Sequence, residues 1–167
     1  IGEIVSRKRA TDALRASEEA LKRAQRDAHV GSWTWHIPTN TLAWSDEMYR
    51  IFGIDQKAFT GNLPDVIAQA IHPEDRAAVA ASNRAVIEQR DPVPLEYRVV
   101  RPDGSVRTVW AEAGELILDD EGNADTLTGI VQDITERKEV EAERQALLDL
   151  SREQAQQISQ ILETVPQ

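Results

Sequence analysis

Cysteine is absent from the 167-residue chain, which removes disulfide frameworks, thiolate metal sites and cysteine nucleophiles together. Long apolar runs are missing too: no stretch approaches the ~20 residues that a membrane span requires, and there is no signal-peptide pattern. Basic residues are in deficit, 19 Lys and Arg against 29 Asp and Glu, for a formal net charge of -10. That balance argues against DNA or RNA as an electrostatic partner and against anionic membrane surfaces. Glycine and proline are absent from two long stretches, between Gly2 and Gly31 and from Ile130 to Val165. Without those breakers, both stretches can run as long helices. Missing cysteine fits a reducing compartment, so the chain is expected in the cytoplasm without direct membrane insertion, whatever anchors a longer parent. The 41% hydrophobic content suffices for one core, and the length suits one domain with extensions.

What is present is organised around Gly129-Ile130-Val131-Gln132-Asp133-Ile134-Thr135-Glu136-Arg137-Lys138. Its first half alternates apolar and polar residues and is rich in β-branched side chains, the pattern of a strand. The period then changes abruptly. Thr135 is a good N-cap residue, and Glu136 and Glu139 supply negative charge to a first helical turn. A strand ending at Asp133 therefore becomes a helix with almost no loop, so strain or a register change in the sheet is expected to reach the helix through Asp133, Ile134 and Thr135.

The two helical stretches carry narrow apolar seams. In the first, Leu14, Ser17, Leu21, Ala24 and Ala28 recur at spacings of three and four, as in a coiled coil. Two readings stay open: the helix packs on its own domain's sheet, or it pairs with its twin in a dimer. In the second, Val140, Leu147, Leu150 and Ile161 form one apolar track, and Leu148, Ala155, Ile158, Leu162 and Val165 form another. A seam that changes track marks a stutter in a coiled coil. A lone helix with so narrow a stripe is marginal in water, so a homodimer through the terminal helices is expected, its seam including Leu14, Leu21, Leu147, Leu150, Ile158 and Leu162. A short internal repeat supports a linker role: Val5-Ser6-Arg7-Lys8-Arg9 parallels Ile134-Thr135-Glu136-Arg137-Lys138.

Between the helices, Gly31 is expected to break the first. Trp33, Trp35 and Ile37 share one face of a strand, Pro38-Thr39-Asn40 turns the chain, and Thr41 to Trp44 returns as a second strand. Ser45 or Asp46 caps a short helix through Phe52 that Gly53 stops. Leu63 to Ile71 reads as another short helix. A longer one runs from Glu74 to about Gln89, with Ala78, Val79, Ala81, Ala85 and Val86 inward and Asp91-Pro92 ending it. Val93 to Arg101, Val106 to Leu118 and Ala124 to Ile134 read as three strands, the first two joined by the turn Pro102-Asp103-Gly104. Both faces of these strands carry apolar residues, so one covers the core and the other needs a lid.

His72-Pro73-Glu74-Asp75-Arg76 is the stretch most easily mistaken for chemistry. Pro73 suits a first helical turn and the two acids complement its dipole, so His72 reads as a residue that opens a helix. Imidazole also suits haem iron. A hydrolase site is disfavoured, since neither a nucleophile nor an oxyanion donor accompanies the histidine.

Asp133-Ile134-Thr135 followed by Glu136-Arg137-Lys138 resembles the junction that closes PAS sensor domains and feeds their signalling helix. Gly31-Ser32-Trp33-Thr34-Trp35, Trp44-Ser45-Asp46-Glu47, Ile71-His72-Pro73-Glu74-Asp75-Arg76, Tyr97-Arg98-Val99-Val100-Arg101-Pro102-Asp103-Gly104 and Gly129-Ile130-Val131 resemble, in family order, the landmarks of the subgroup whose opening strand carries tryptophans. The resemblance covers roughly residues 30 to 136. It implies an α+β fold: a five-stranded antiparallel sheet with short helices on one face, plus long N- and C-terminal helices. The expected divisions are a linker helix over 1–29, the PAS domain over 30–134 and a signalling helix over 135–165, with 161–167 as the possible opening of a following domain.

By the same resemblance, a ligand would sit between the sheet's inner face and the small helices. Trp35, Met48, Phe52 and Ile67 are candidate lining residues, with Ile71, Val86, Tyr97 and Trp110; all are equally explicable as core. The ligand's identity stays open. The flavin-adduct LOV branch needs a cysteine and is excluded. The family's haem branch places its histidine within the later helix, and Ala77 to Gln89 contains none. The function implied is a sensory module acting on neighbouring domains of the same polypeptide, with output from a histidine kinase or cyclic-dinucleotide enzyme outside these residues and no catalysis by the chain itself. The alternative is a ligand-free dimerisation spacer.

Overall fold

The computed structural model describes residues 1–166. In order, the elements are α1 (Gly2–Asp27), β1 (Val30–His36), β2 (Thr41–Trp44), α2 (Asp46–Phe52), α3 (Leu63–Ala70), a 3-10 turn (Pro73–Asp75), α4 (Arg76–Gln89), β3 (Leu95–Val100), β4 (Val106–Leu118), β5 (Ala124–Asp133) and α5 (Thr135–Thr164). The chain divides into two compact units, Ile1–Asp133 and the segment from Ile134 onward.

The five strands form one antiparallel sheet in the order β2-β1-β5-β4-β3. Side chains alternate across a pleated strand, and the register assigns each face. Trp33, Trp35, Leu95, Tyr97, Val109, Ala111, Leu127 and Val131 share the inner face with α2, α3 and α4. Val99 and Val109 are fully buried there. The pleat sends Trp110 and Ile130 to the other face, where Ile130 remains exposed. Within the first unit, no element covers that face along its length.

Close backbone approach explains two glycines. Gly129 lies under the Trp33 ring, and a Cβ there would overlap that ring and the Glu112 carbonyl. Gly31 belongs to β1 rather than ending α1, and it must be glycine there because a Cβ would come within 2.6 Å of Met48 Cγ. The helix is broken two residues earlier, by His29 at φ 52°. Gly53 does stop α2 in the left-handed region, at φ 66°, and Arg90 ends α4 the same way before Pro92 is reached.

Ser45 stands at the α2 N-cap but gives its hydroxyl to the sheet, accepting from the Ser32 N–H at 2.9 Å. The α4 contact is narrower than its alanines suggest: Val79 and Val86 are buried, whereas Ala78 and Ala81 are exposed. These valines are seven residues apart, so α4 meets the core along a single line. His72 caps the 3-10 turn through Nδ1, which accepts from the Glu74 N–H at 3.3 Å.

Helix α1 buries no residue. Its C-terminal end alone engages the domain, where Lys22 meets Asp46 at 3.3 Å and the Gln25 amide donates to the Ser32 hydroxyl at 3.4 Å. Leu14 and Leu21 are each 60% exposed, so packing on its own sheet does not cover this seam. Helix α5 begins at Thr135; Ile134, not Thr135, holds the cap position, with φ -108° and ψ 13°, and its apolar side chain makes no capping hydrogen bond.

Candidate functional site

A cavity of about 110 Å³ lies between the inner sheet face and α2, α3 and α4. Each element contributes by its own periodicity: alternate residues of β1 and β3 bring Trp33, Trp35, Leu95 and Tyr97, while α4 brings Ser82, Asn83 and Val86. Of the expected lining residues, Trp35, Phe52, Ile67, Ile71, Val86 and Tyr97 meet around this space. Met48 is buried beneath Gly31 and Trp110 lies on the opposite face, so neither lines it. His72 is also outside the lining.

Three of the four tryptophans border the cavity. Trp44 stacks on Phe59 with centroids 4.2 Å apart and tilts against Phe52 at 4.6 Å, a packing that fixes the wall toward β2. Trp35 Nε1 donates to Asn40 Oδ1 at 3.3 Å. Burial raises the Tyr97 phenol above its ordinary value, so it stands as a neutral hydroxyl. Ser82, Asn83 and Tyr97 make no side-chain hydrogen bond to the described residues. The two α4 residues escaped sequence reasoning because polar residues on a half-exposed helix look like solvated surface; their positions three and four residues before Val86 were the available signal.

The cap of small helices is fastened to the edge strand by a charged cluster. Arg98 donates from Nε to Asp75 Oδ2 at 2.9 Å, and from its Nη2 to Asp75 Oδ1 at 2.8 Å and Glu74 Oε2 at 2.9 Å. The Arg98 backbone N–H also donates to Asp75 Oδ2 at 2.8 Å. Hydrogen bonding by the Arg98 side chain, before all other causes, holds the Asp75 carboxyl at about 2 instead of 3.8.

A second constellation lies where the sheet ends. The Asp133 carboxylate accepts from Arg107 Nε at 2.7 Å with only 6% of its side chain exposed. Its backbone N–H donates to the His29 carbonyl at 3.0 Å. The last residue of β5 is thus tied both to β4 and to His29, in the short connection between α1 and β1. In the second unit, Ile134 is buried, its carbonyl accepts from the Lys138 N–H at 2.9 Å, and Thr135 opens α5. The α5 seam residues Leu147, Leu150, Ile158 and Leu162 are between 52% and 70% exposed.

Comparison with known proteins places these features in context. A family model described as the PAS fold matches residues 41–131. The sensor protein FixL of Bradyrhizobium diazoefficiens is 33% identical over 112 residues, covering 67% of this chain and 22% of that protein. The probable diguanylate cyclase DgcE of Escherichia coli is 29% identical over 124 residues, covering 73% of this chain and 11% of that protein. A solved structure of a sensory box histidine kinase/response regulator from Burkholderia thailandensis matches with a TM-score of 0.60 at 28% identity, covering 82% of this chain and 98% of that one. The chain spans less than a quarter of the length of either curated relative.

Proposed function

The chain belongs to the PAS fold family, and from that premise we propose that it is a sensory and signal-transmitting module. A change at the inner sheet face passes along β5 to Asp133, through Ile134 and Thr135, and into α5. Helices α1 and α5 pair with those of a second copy, so both sheets act on one coiled coil. The module is cytoplasmic, and it drives a histidine kinase or cyclic-dinucleotide enzyme outside these residues, with no catalysis of its own. Residues 1–29 and 135–165 are the linkers, 30–134 the sensor, and 161–167 the opening of a further domain.

The observation that carries this reading is the shortness of the joint: Ile134 alone separates the last residue of β5 from the first of α5. A one-residue connection has two soft dihedrals and little room to absorb a displacement. The ion pair from Arg107 to Asp133 supports the same reading, because it ties the input side of the joint to a second strand.

The test is made in the receptor that carries the chain. Asp133→Asn and Thr135→Ala should each abolish regulation of the output while the domain stays folded, and regulation surviving both would remove the joint from the relay. A second reading, a ligand-free dimerisation spacer, is favoured by the cavity's about 110 Å³, against ~300 Å³ and upward for sites that hold drug-sized ligands. Native mass spectrometry of freshly purified chain separates the two: a retained small molecule supports sensing, a bare dimer the spacer.

A further inference from the structure

The side chains around the inner cavity specify a ligand chemistry. None of the lining residues is charged and none is histidine. A carboxylate, phosphate or ammonium group placed there would lose its hydration without gaining a counter-charge, which excludes ionic ligands. Size narrows the class further. About 110 Å³ is near the ~150 Å³ of an apolar protein cavity that takes up benzene, and far too small for a macrocycle or a fused three-ring cofactor.

The polar groups are not spread evenly. Toward β2, the cavity is bordered by Trp33, Trp44 and Phe52. Toward β3, at the other edge of the sheet, it is bordered by Tyr97, with Ser82 and Asn83 on the neighbouring α4. Those three uncharged groups have no side-chain partner among the described residues, whereas the Trp35 N–H is already engaged by Asn40. Both hydroxyls and the amide can donate or accept. An aromatic wall facing a free hydrogen-bonding edge, with no charge anywhere, fits an uncharged ring carrying one polar substituent.

We propose that this cavity binds a neutral single-ring aromatic molecule bearing one hydroxyl or N–H group, with the ring toward Trp33, Trp44 and Phe52 and the polar group toward Tyr97, Ser82 and Asn83. The proposal rests on the sensory reading above and gives it a ligand class. Val93 in the α4–β3 connection borders the same space and is exposed, so access from solvent lies on the β3 side.

The experiment uses phenol, toluene and benzoate as probes, with the intact chain at neutral pH and the indole N–H signals of the four tryptophans as the readout. Phenol should shift the signals of Trp33, Trp35 and Trp44 and leave Trp110, on the opposite face, in place. Benzoate should bind at least tenfold more weakly than phenol. Tyr97→Phe, which conserves shape, should weaken phenol by about tenfold, the scale of one lost hydrogen bond, and change toluene by less than twofold. Asn83→Ala provides the same test at a half-buried helix position where alanine favours the helix, and several-fold weaker phenol binding with unchanged toluene is expected. Benzoate binding as tightly as phenol, phenol affinity unmoved by both variants, or no probe shifting these signals at millimolar concentration would overturn the proposal. None of those results bears on whether Asp133→Asn and Thr135→Ala uncouple the receptor, so the ligand class and the relay fail separately.

Discussion

The sheet domain and helix α5 dispose of their apolar residues in opposite ways. In the domain, residues as far apart in sequence as Trp35, Phe52, Val86 and Val131 meet in one core and leave almost nothing accessible. In α5, thirty residues long, Thr135 is the sole buried residue, and Leu147 and Leu162 stand 63% and 70% exposed. Helix α1 goes further and buries no residue at all. A single chain therefore completes one hydrophobic core and leaves two apolar stripes open. Since a helix gains most of its stability from packing an apolar face, these stripes are the surface that the proposed pairing with a second copy would cover, whereas the domain needs no such cover.

The largest expected effect tests the closed core. Phe52→Ala should destabilise the domain by about 3–5 kcal/mol, read as the urea midpoint and independent of protein concentration. Next comes the open stripe. Leu147→Glu with Leu150→Glu should weaken self-association by about a hundredfold, near 2.7 kcal/mol, while shifting the domain's own unfolding by less than about 0.5 kcal/mol. A domain that unfolds together with the lost dimer would erase the contrast. Gly129→Ala should cost about 1–3 kcal/mol by overpacking against the Trp33 ring, again without touching association.

The smallest effect is one of pH. The folded state holds Asp75 at about 2, below its ordinary 3.8. A depressed carboxyl adds stability above the unfolded value and loses it as protons bind. The domain should therefore weaken as pH falls from about 4 toward about 2, and Asp75→Asn should flatten that slope in acid denaturation curves.

Much of the domain could be read from the sequence because local chemistry and tertiary structure agree there. β4 runs from Val106 to Leu118 as expected, bounded by Pro102-Asp103-Gly104 and the acidic loop after Leu118, and Gly53 stops α2 where its φ above zero demands glycine. The discrepancies lie where distant partners decide. Gly31 looked like a helix breaker, yet Met48, seventeen residues on, makes it a packing glycine. Thr135 looked like a cap, but the strand runs so close to the helix that Ile134 takes that position. The sequence alone puts Trp110 among the candidate lining residues, but pleat parity with Val109 places it on the other face. Ser82 and Asn83 carry only their spacing from Val86 as a signal, because polar residues on a half-exposed helix otherwise look like solvated surface.

The claim that most needs testing is that the terminal helices, and not the sheet domain, join two copies. Sedimentation equilibrium of the intact 18.7 kDa chain and of a fragment spanning 30–134 decides it. Twice the chain mass is expected for the intact protein, and a folded monomer for the fragment at the same concentration. An intact chain that stays monomeric, or a fragment that dimerises as tightly as the whole, would contradict it.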